Sequence, residues 1–192
     1  MTVSNKRPST RLVHSGSYPE RHKGVMNTPV YRASTIRFPS VDAMRNGVEN
    51  AFDTIFYGRH GTPTTMALEE AVAELEGGYR SVSTPSGVSA ISIALLAFLK
   101  SGDHLLMVDN TYEPSRNICA KFLASYDIKT TFYDPLIGAG IKNLIKPETK
   151  VVFTESPGSL TFEVQDISAI TAAAHAKGVK VIMDNTWSAG YF

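Results

Sequence analysis

Residues 151–187 read VVFTESPGSLTFEVQDISAITAAAHAKGVKVIMDNTW. A short run rich in Val and Phe, residues 151–154, opens the stretch, and a second apolar run, residues 180–183, closes it. Between them Asp166 stands where a helix needs an N-cap and Gly178 where a helix stops. Strand, helix, strand without a hairpin turn is the pattern of a parallel pair joined by a crossover helix. The alternation continues toward the N-terminus, with strands expected at residues 129–133 and 104–108. Between those two, Pro114 suits the first turn of a helix whose Ile118, Cys119, Phe122 and Leu123 face inward. Upstream, a helix is expected over about residues 87–100, apolar on most sides and therefore buried. Before it, Leu68, Ala71, Val72 and Leu75 share one helical face, and Gly77-Gly78 supplies its stop. The expected fold class is α/β, a mixed and mostly parallel sheet between helices, covered on both faces.

The pattern changes near residue 60. Pro8, Pro19, Pro29 and Pro39 recur with little helical periodicity, so residues 1–60 are expected to form an extended and partly helical arm. Such an arm lies across another part of the molecule or across a neighbouring subunit, because it has too little apolar pattern to make its own core. Residues 61–192 are read as one large domain.

Composition narrows the function classes. The apolar fraction of 43% and charged fraction of 19% are those of a soluble globular chain rather than a disordered one. A net charge of +1 gives no electrostatic case for nucleic acid or for an anionic membrane. The lone Cys119 excludes a disulfide framework within the chain and fits a reducing cytoplasm; it reads as a small apolar residue in a helix. Lys6, Arg7 and Arg11 are not followed by an apolar core, so a signal peptide is not expected. The most apolar run, residues 88–99, carries Ser89 and Ser92 and is too short to span a bilayer.

In parallel sheets ligands collect beyond the carboxyl ends of the strands. Three such ends are rich in hydrogen-bonding side chains: Asp109-Asn110-Thr111-Tyr112, Glu155-Ser156-Pro157-Gly158-Ser159 and Asp184-Asn185-Thr186-Trp187. Asp184 follows an apolar strand, a position from which a carboxylate holds a cation such as a protonated ring nitrogen; a turn-forming aspartate is the plainer alternative. A metal is the least favoured, because no His or Cys lies at ligand spacing, and His60, His104 and His175 read as surface or packing residues. Thr84-Pro85-Ser86-Gly87-Val88 opens a helix with unpaired amides suited to a phosphate, although the same residues also make an ordinary N-cap by Ser86. They match neither the P-loop lysine pattern nor the dinucleotide glycine fingerprint. Tyr112 is placed to lie against a planar ligand or simply to pack, and Arg59 to clamp a phosphate or simply to meet solvent.

The order of these motifs resembles the Cys/Met-metabolism family of pyridoxal-phosphate (PLP) enzymes over essentially the whole chain. The resemblance is carried by Thr10-Arg11-Leu12-Val13-His14, Tyr57-Gly58-Arg59, Gly61-Thr62-Pro63-Thr64, Leu75-Glu76-Gly77-Gly78, Ser86-Gly87 and Asp184-Asn185-Thr186-Trp187. It implies the aspartate-aminotransferase-like type I fold, with residues 61–192 as the N-terminal part of the large PLP-binding domain. It also implies homotetramers built as dimers of dimers. In the roles it implies, the Gly87 and Val88 amides hold the cofactor phosphate, Tyr57 and Arg59 reach the phosphate of the neighbouring subunit, and Tyr112 stacks on the ring. Asp184 pairs with the pyridinium nitrogen and Thr186 lies beside the ring. After Glu155-Ser156-Pro157 the family's γ-synthases and γ-lyases usually carry Thr-Asn-Pro or Ser-Asn-Pro, whereas Gly158-Ser159-Leu160 here resembles the bacterial cystathionine β-lyases. Tyr112-Glu113-Pro114-Ser115 resembles them too. The implied reaction is α,β-elimination of L-cystathionine to homocysteine, pyruvate and ammonia, with Tyr112 and the neighbouring subunit's Tyr57 assisting proton transfer or substrate contact.

The resemblance also implies a cofactor-bearing lysine beyond Asp184 in a Thr-Lys-Tyr context, and no lysine of this chain stands in that context. The remaining phosphate ligands and the arginine that grips the substrate carboxylate are likewise expected past Phe192. The chain is therefore read as a piece of a longer protein, inactive by itself. The rival readings are another member of the family (a γ-synthase, a methionine γ-lyase or a sulfhydrylase) and an inactive fragment that acts only as an interaction module.

Overall fold

The computed structural model describes residues 7–190; Lys6 and Phe192 lie outside the described residues. Two compact units divide the chain, one up to Ser83 and the other from Thr84 to Gly190.

The first unit is helical: α1 (Pro8–His14), α2 (Val41–Glu49) and α3 (Pro63–Leu75), with a 3-10 turn at Pro19–His22. α1 and α2 lie within residues 1–60, where an extended and partly helical arm was expected. Ser40 starts α2 by accepting a bond from the Ala43 amide at 3.1 Å. α1 and α3 meet through Arg11, whose Nε lies 2.6 Å from Glu74 Oε1. Of the four residues expected to share one face of α3, Leu68 and Val72 are exposed, and Ala71 and Leu75 are partly buried. Met66, Ala67 and Glu70 line the inner face, opposite Gly16 and Tyr18. Gly16 fixes that choice, because a Cβ there would stand 2.0 Å from the Ala67 carbonyl oxygen, so only glycine lets the chain pass this close to the helix.

The second unit is a parallel sheet of four strands in the order β2-β1-β3-β4. The chain runs through α4 (Gly87–Phe98), β1 (His104–Val108), α5 (Glu113–Asn117), β2 (Lys129–Tyr133), β3 (Thr149–Glu155), α6 (Ile167–His175) and β4 (Lys180–Asp184). From β1 to β2 the chain steps to one side, and from β2 onward it steps to the other. A right-handed crossover must then place its helix on opposite faces for the two directions. The packing obeys this. Cys119 and Leu123, after α5, join Leu95 of α4, Leu105, Met107, Val151 and Phe153 on one face. Ile141, with Ile170 and Ala174 of α6, joins Leu106, Val108 and Val152 on the other. Consecutive strand residues thus feed alternate cores, which is why β1 is buried throughout.

Two expected details change. Beyond α5 the helix widens into a π turn over Ile118–Leu123, so the buried stripe is Ser115, Cys119 and Leu123. Phe122 turns outward against Tyr126, ring centres 5.1 Å apart. α4 buries a single stripe, Leu95 with the partly buried Ile91, and not most of its surface, because only one side meets the sheet. At the opposite edge of the sheet from the strand ends, His104 is buried with its ring nitrogens 2.8 Å from Thr149 Oγ1 and 2.8 Å from Thr131 Oγ1, joining three strands.

Candidate functional site

The strand order reverses between β1 and β3, the place where ligands collect beyond the carboxyl ends of a parallel sheet. Strand periodicity decides what faces it. Val151 and Phe153 point to the α4 side of the sheet, so Glu155 does too, and by the same count Ile182 and Asp184 share that side. Glu155 and Asp184 are paired in register at the ends of adjacent strands.

Asp184 and Thr186 line a cleft of about 270 Å³ with Gly87, Ile91, Ala94 and Ile182. Its floor is apolar and its two polar ends are of opposite kind. At one end, α4 begins: Ser86 Oγ caps the Ser89 amide at 3.1 Å, leaving the Gly87 and Val88 amides without an acceptor among the described residues. An added Cβ on Gly87 would meet nothing within 4 Å, so the space before these amides is open. At the other end, Asp184 Oδ1 accepts bonds from the Thr186 amide at 3.1 Å and from the Thr186 hydroxyl at 2.5 Å. An anion fits the first end and a cation the second. Among the described residues no lysine lines this cleft.

Tyr112, half exposed, heads α5 at the same end of the sheet, its amide bonded to Glu155 Oε2. Tyr57 and Arg59 belong to the other unit. There the Arg59 guanidinium stands 5.6 Å from the Tyr57 ring centre. Between them Gly58 passes so close to Ala33 that a Cβ would lie 1.9 Å from its carbonyl oxygen. Among the described residues no group of three or more His, Cys, Asp or Glu is placed to hold a metal. No described helix is long and apolar enough to cross a membrane.

Sequence reasoning missed how the rim is fastened. Asn110 Nδ2 donates to Glu163 Oε2 at 2.8 Å, and the Ser159 amide donates to the Asn110 carbonyl at 2.8 Å. Gly158 is tight against the same side chain: a Cβ there would sit 1.9 Å from Asn110 Nδ2. Leu160 and Phe162 both take left-handed backbone angles, at φ 65° and 60°, and Phe162 packs edge-on against Trp187 at 5.2 Å. The loops after β1, β3 and β4 are therefore joined to one another. The only sequence signal for this was the density of polar residues after each strand.

The family model for Cys/Met metabolism PLP-dependent enzymes matches residues 9–192. The chain belongs to this family. Its cofactor is pyridoxal phosphate, and the cleft's lining suits it, with amides that lack an acceptor at the start of α4 and the acid Asp184. Among curated relatives, cystathionine beta-lyase MetC of Escherichia coli is 42% identical over 98% of this chain. The L-alanine/L-glutamate racemase of Wolbachia pipientis is 36% identical over 92%. The chain spans about half the length of these proteins, 48% and 46% respectively. Among solved structures, metB from Corynebacterium glutamicum superposes with a TM-score of 0.89 at 28% identity, over 100% of this chain and 48% of that one. The type I α/β fold expected from the sequence is the one observed.

Proposed function

We propose that this chain supplies the cofactor-holding part of a lyase that cleaves L-cystathionine by α,β-elimination, giving homocysteine, pyruvate and ammonia with uptake of one water. The observation that carries the reading is the cleft bounded by the Gly87 amide and the Asp184 carboxylate. Bound PLP supplies an electron sink that stabilises negative charge at the substrate Cα. The chain's residues hold it there. The Gly87 and Val88 amides take the phosphate at the positive end of α4. Asp184 keeps a ring nitrogen protonated, and its orientation is fixed by the two bonds from Thr186. Tyr112 lies along the ring face, and Tyr57 and Arg59 are offered to the phosphate of a second copy. The lysine that takes the Cα proton comes from sequence outside this chain, as does the arginine that binds the substrate carboxylate. The substrate class is an amino-acid thioether, and the assembly is a homotetramer working in the cytoplasm.

The β-lyase relatives and the Gly158-Ser159-Leu160 segment support this choice within the family. A racemase among the relatives makes racemisation the second reading. The test uses the intact protein with L-cystathionine and with L-alanine. Pyruvate and homocysteine are expected from the first, and no loss of optical activity from the second. Release of 2-oxobutyrate, or racemisation of alanine without elimination, would replace the proposal. Asp184→Ala is expected to lower turnover at least about a hundredfold while circular dichroism of the backbone stays unchanged. Unaltered pyruvate formation would remove Asp184 from the reaction.

A further inference from the structure

Glu155 is a carboxylate with 4% of its surface exposed, and none of the roles above uses it. A carboxylate at that depth needs a reason, since burial without partners is costly. Its side chain holds the turn that leaves β1. Oε2 accepts from the Thr111 hydroxyl at 2.9 Å and from the Tyr112 amide at 2.8 Å. Tyr112 is the N-cap position of α5, with φ −50° and ψ 132°, and its own side chain makes no capping bond. The carboxylate therefore fixes the backbone from which the Tyr112 ring projects.

These bonds are not needed to hold Glu155's own loop. The end of β3 is anchored separately: Gln165 Nε2 donates to the Glu155 carbonyl at 2.6 Å, and the Gln165 amide donates to Ser156 Oγ at 2.9 Å. What the side chain adds is a link from the strand beside Asp184 to the turn that carries Tyr112. Burial pushes the carboxyl above its ordinary range, the two donors pull it back down, and the neighbouring Asp184 pushes it up again.

We propose that Glu155 is a positioning residue that sets the Tyr112 ring against the bound cofactor by holding the Thr111–Tyr112 backbone. The proposal rests on the reading that Tyr112 lies along the ring face.

Two substitutions in the intact protein separate position from charge. Glu155→Gln keeps an acceptor at the same reach and removes the charge; Glu155→Asp keeps the charge and withdraws the acceptor by one methylene, about 1.5 Å. Both are mild enough for the fold to survive, which thermal unfolding checks. The first readout is hydrogen exchange at the Tyr112 amide without cofactor. It is expected within about threefold of the parent for Glu155→Gln and faster by about tenfold or more for Glu155→Asp, the scale of one lost charge-assisted bond. The second is the PLP dissociation constant from equilibrium dialysis, expected to rise about tenfold for Glu155→Asp and to stay within about threefold for Glu155→Gln. In a Tyr112→Ala background, Glu155→Asp is expected to add nothing further.

Additive losses in that cycle, or an unperturbed Tyr112 amide in Glu155→Asp, overturn the positioning role and leave the site reading intact. Unchanged PLP affinity in Tyr112→Ala itself overturns the stacking reading and the positioning role with it. Damage in Glu155→Gln with Glu155→Asp near the parent shows that charge, not reach, is what matters, and also sinks the proposal.

Discussion

At the scale of single residues, the most telling side chain outside the cleft is His104. Its ring is buried between two threonines, and burial, helped by Lys146, holds its pKa below the ordinary value of 6.5. The folded state therefore binds a proton less readily than the unfolded chain. Its contribution is present above the unfolded pKa and is lost as pH falls toward the folded value. The midpoint of thermal unfolding is expected to fall between about pH 7.5 and pH 5, and His104→Gln should flatten that slope. An unchanged slope in the variant would assign the acid sensitivity to other groups. Cys119 behaves in the reverse sense: burial raises its thiol to about 11, so it should react with thiol reagents only after unfolding. Fast labelling of the native chain would contradict its place in the core.

At the scale of elements, caps and crossovers carry the structure. Asp166 Oδ1 accepts from the Ala169 amide at 2.9 Å and starts α6, so Asp166→Ala is expected to cost about 0.5–2 kcal/mol in denaturant unfolding. A loss outside that range would mean the helix start is held by something else. This cap, and the strands at 104–108 and 129–133, were legible because they depend on local chemistry: an acid before a helix, an apolar run of Leu, Met and Val, or a short run of Thr and aromatic residues. The faces of α3 and the turn after α5 were not. α3 chose its inner face by the close approach of Gly16, a contact made 51 residues away in sequence (67 minus 16). The π turn moved Phe122 outward by changing the number of residues per turn, which no periodic pattern reveals. That Asp184 and Gly87 line one cleft was legible in so far as each follows a recognisable element boundary, a strand end and a helix start. The Glu155 link was not, because it is made by an amide that every residue but proline possesses.

At the scale of the molecule, the reversal of strand order brings the useful ends of the strands together on one edge, while His104 ties the other. The cleft is lined by the start of α4 and by Asp184, and no lysine among the described residues lines it. Residues 1–192 mixed with PLP and treated with borohydride are accordingly expected to yield no cofactor-labelled peptide, whereas the intact protein yields one. A single labelled lysine from 1–192 would mean that this chain carries the base itself. The missing side chain at Gly158 is filled by the amide of Asn110, so these two positions occupy one volume. Across related sequences they should drift as a couple, and a bulkier residue at 158 should be found only where its neighbour at 110 has shrunk or swung aside.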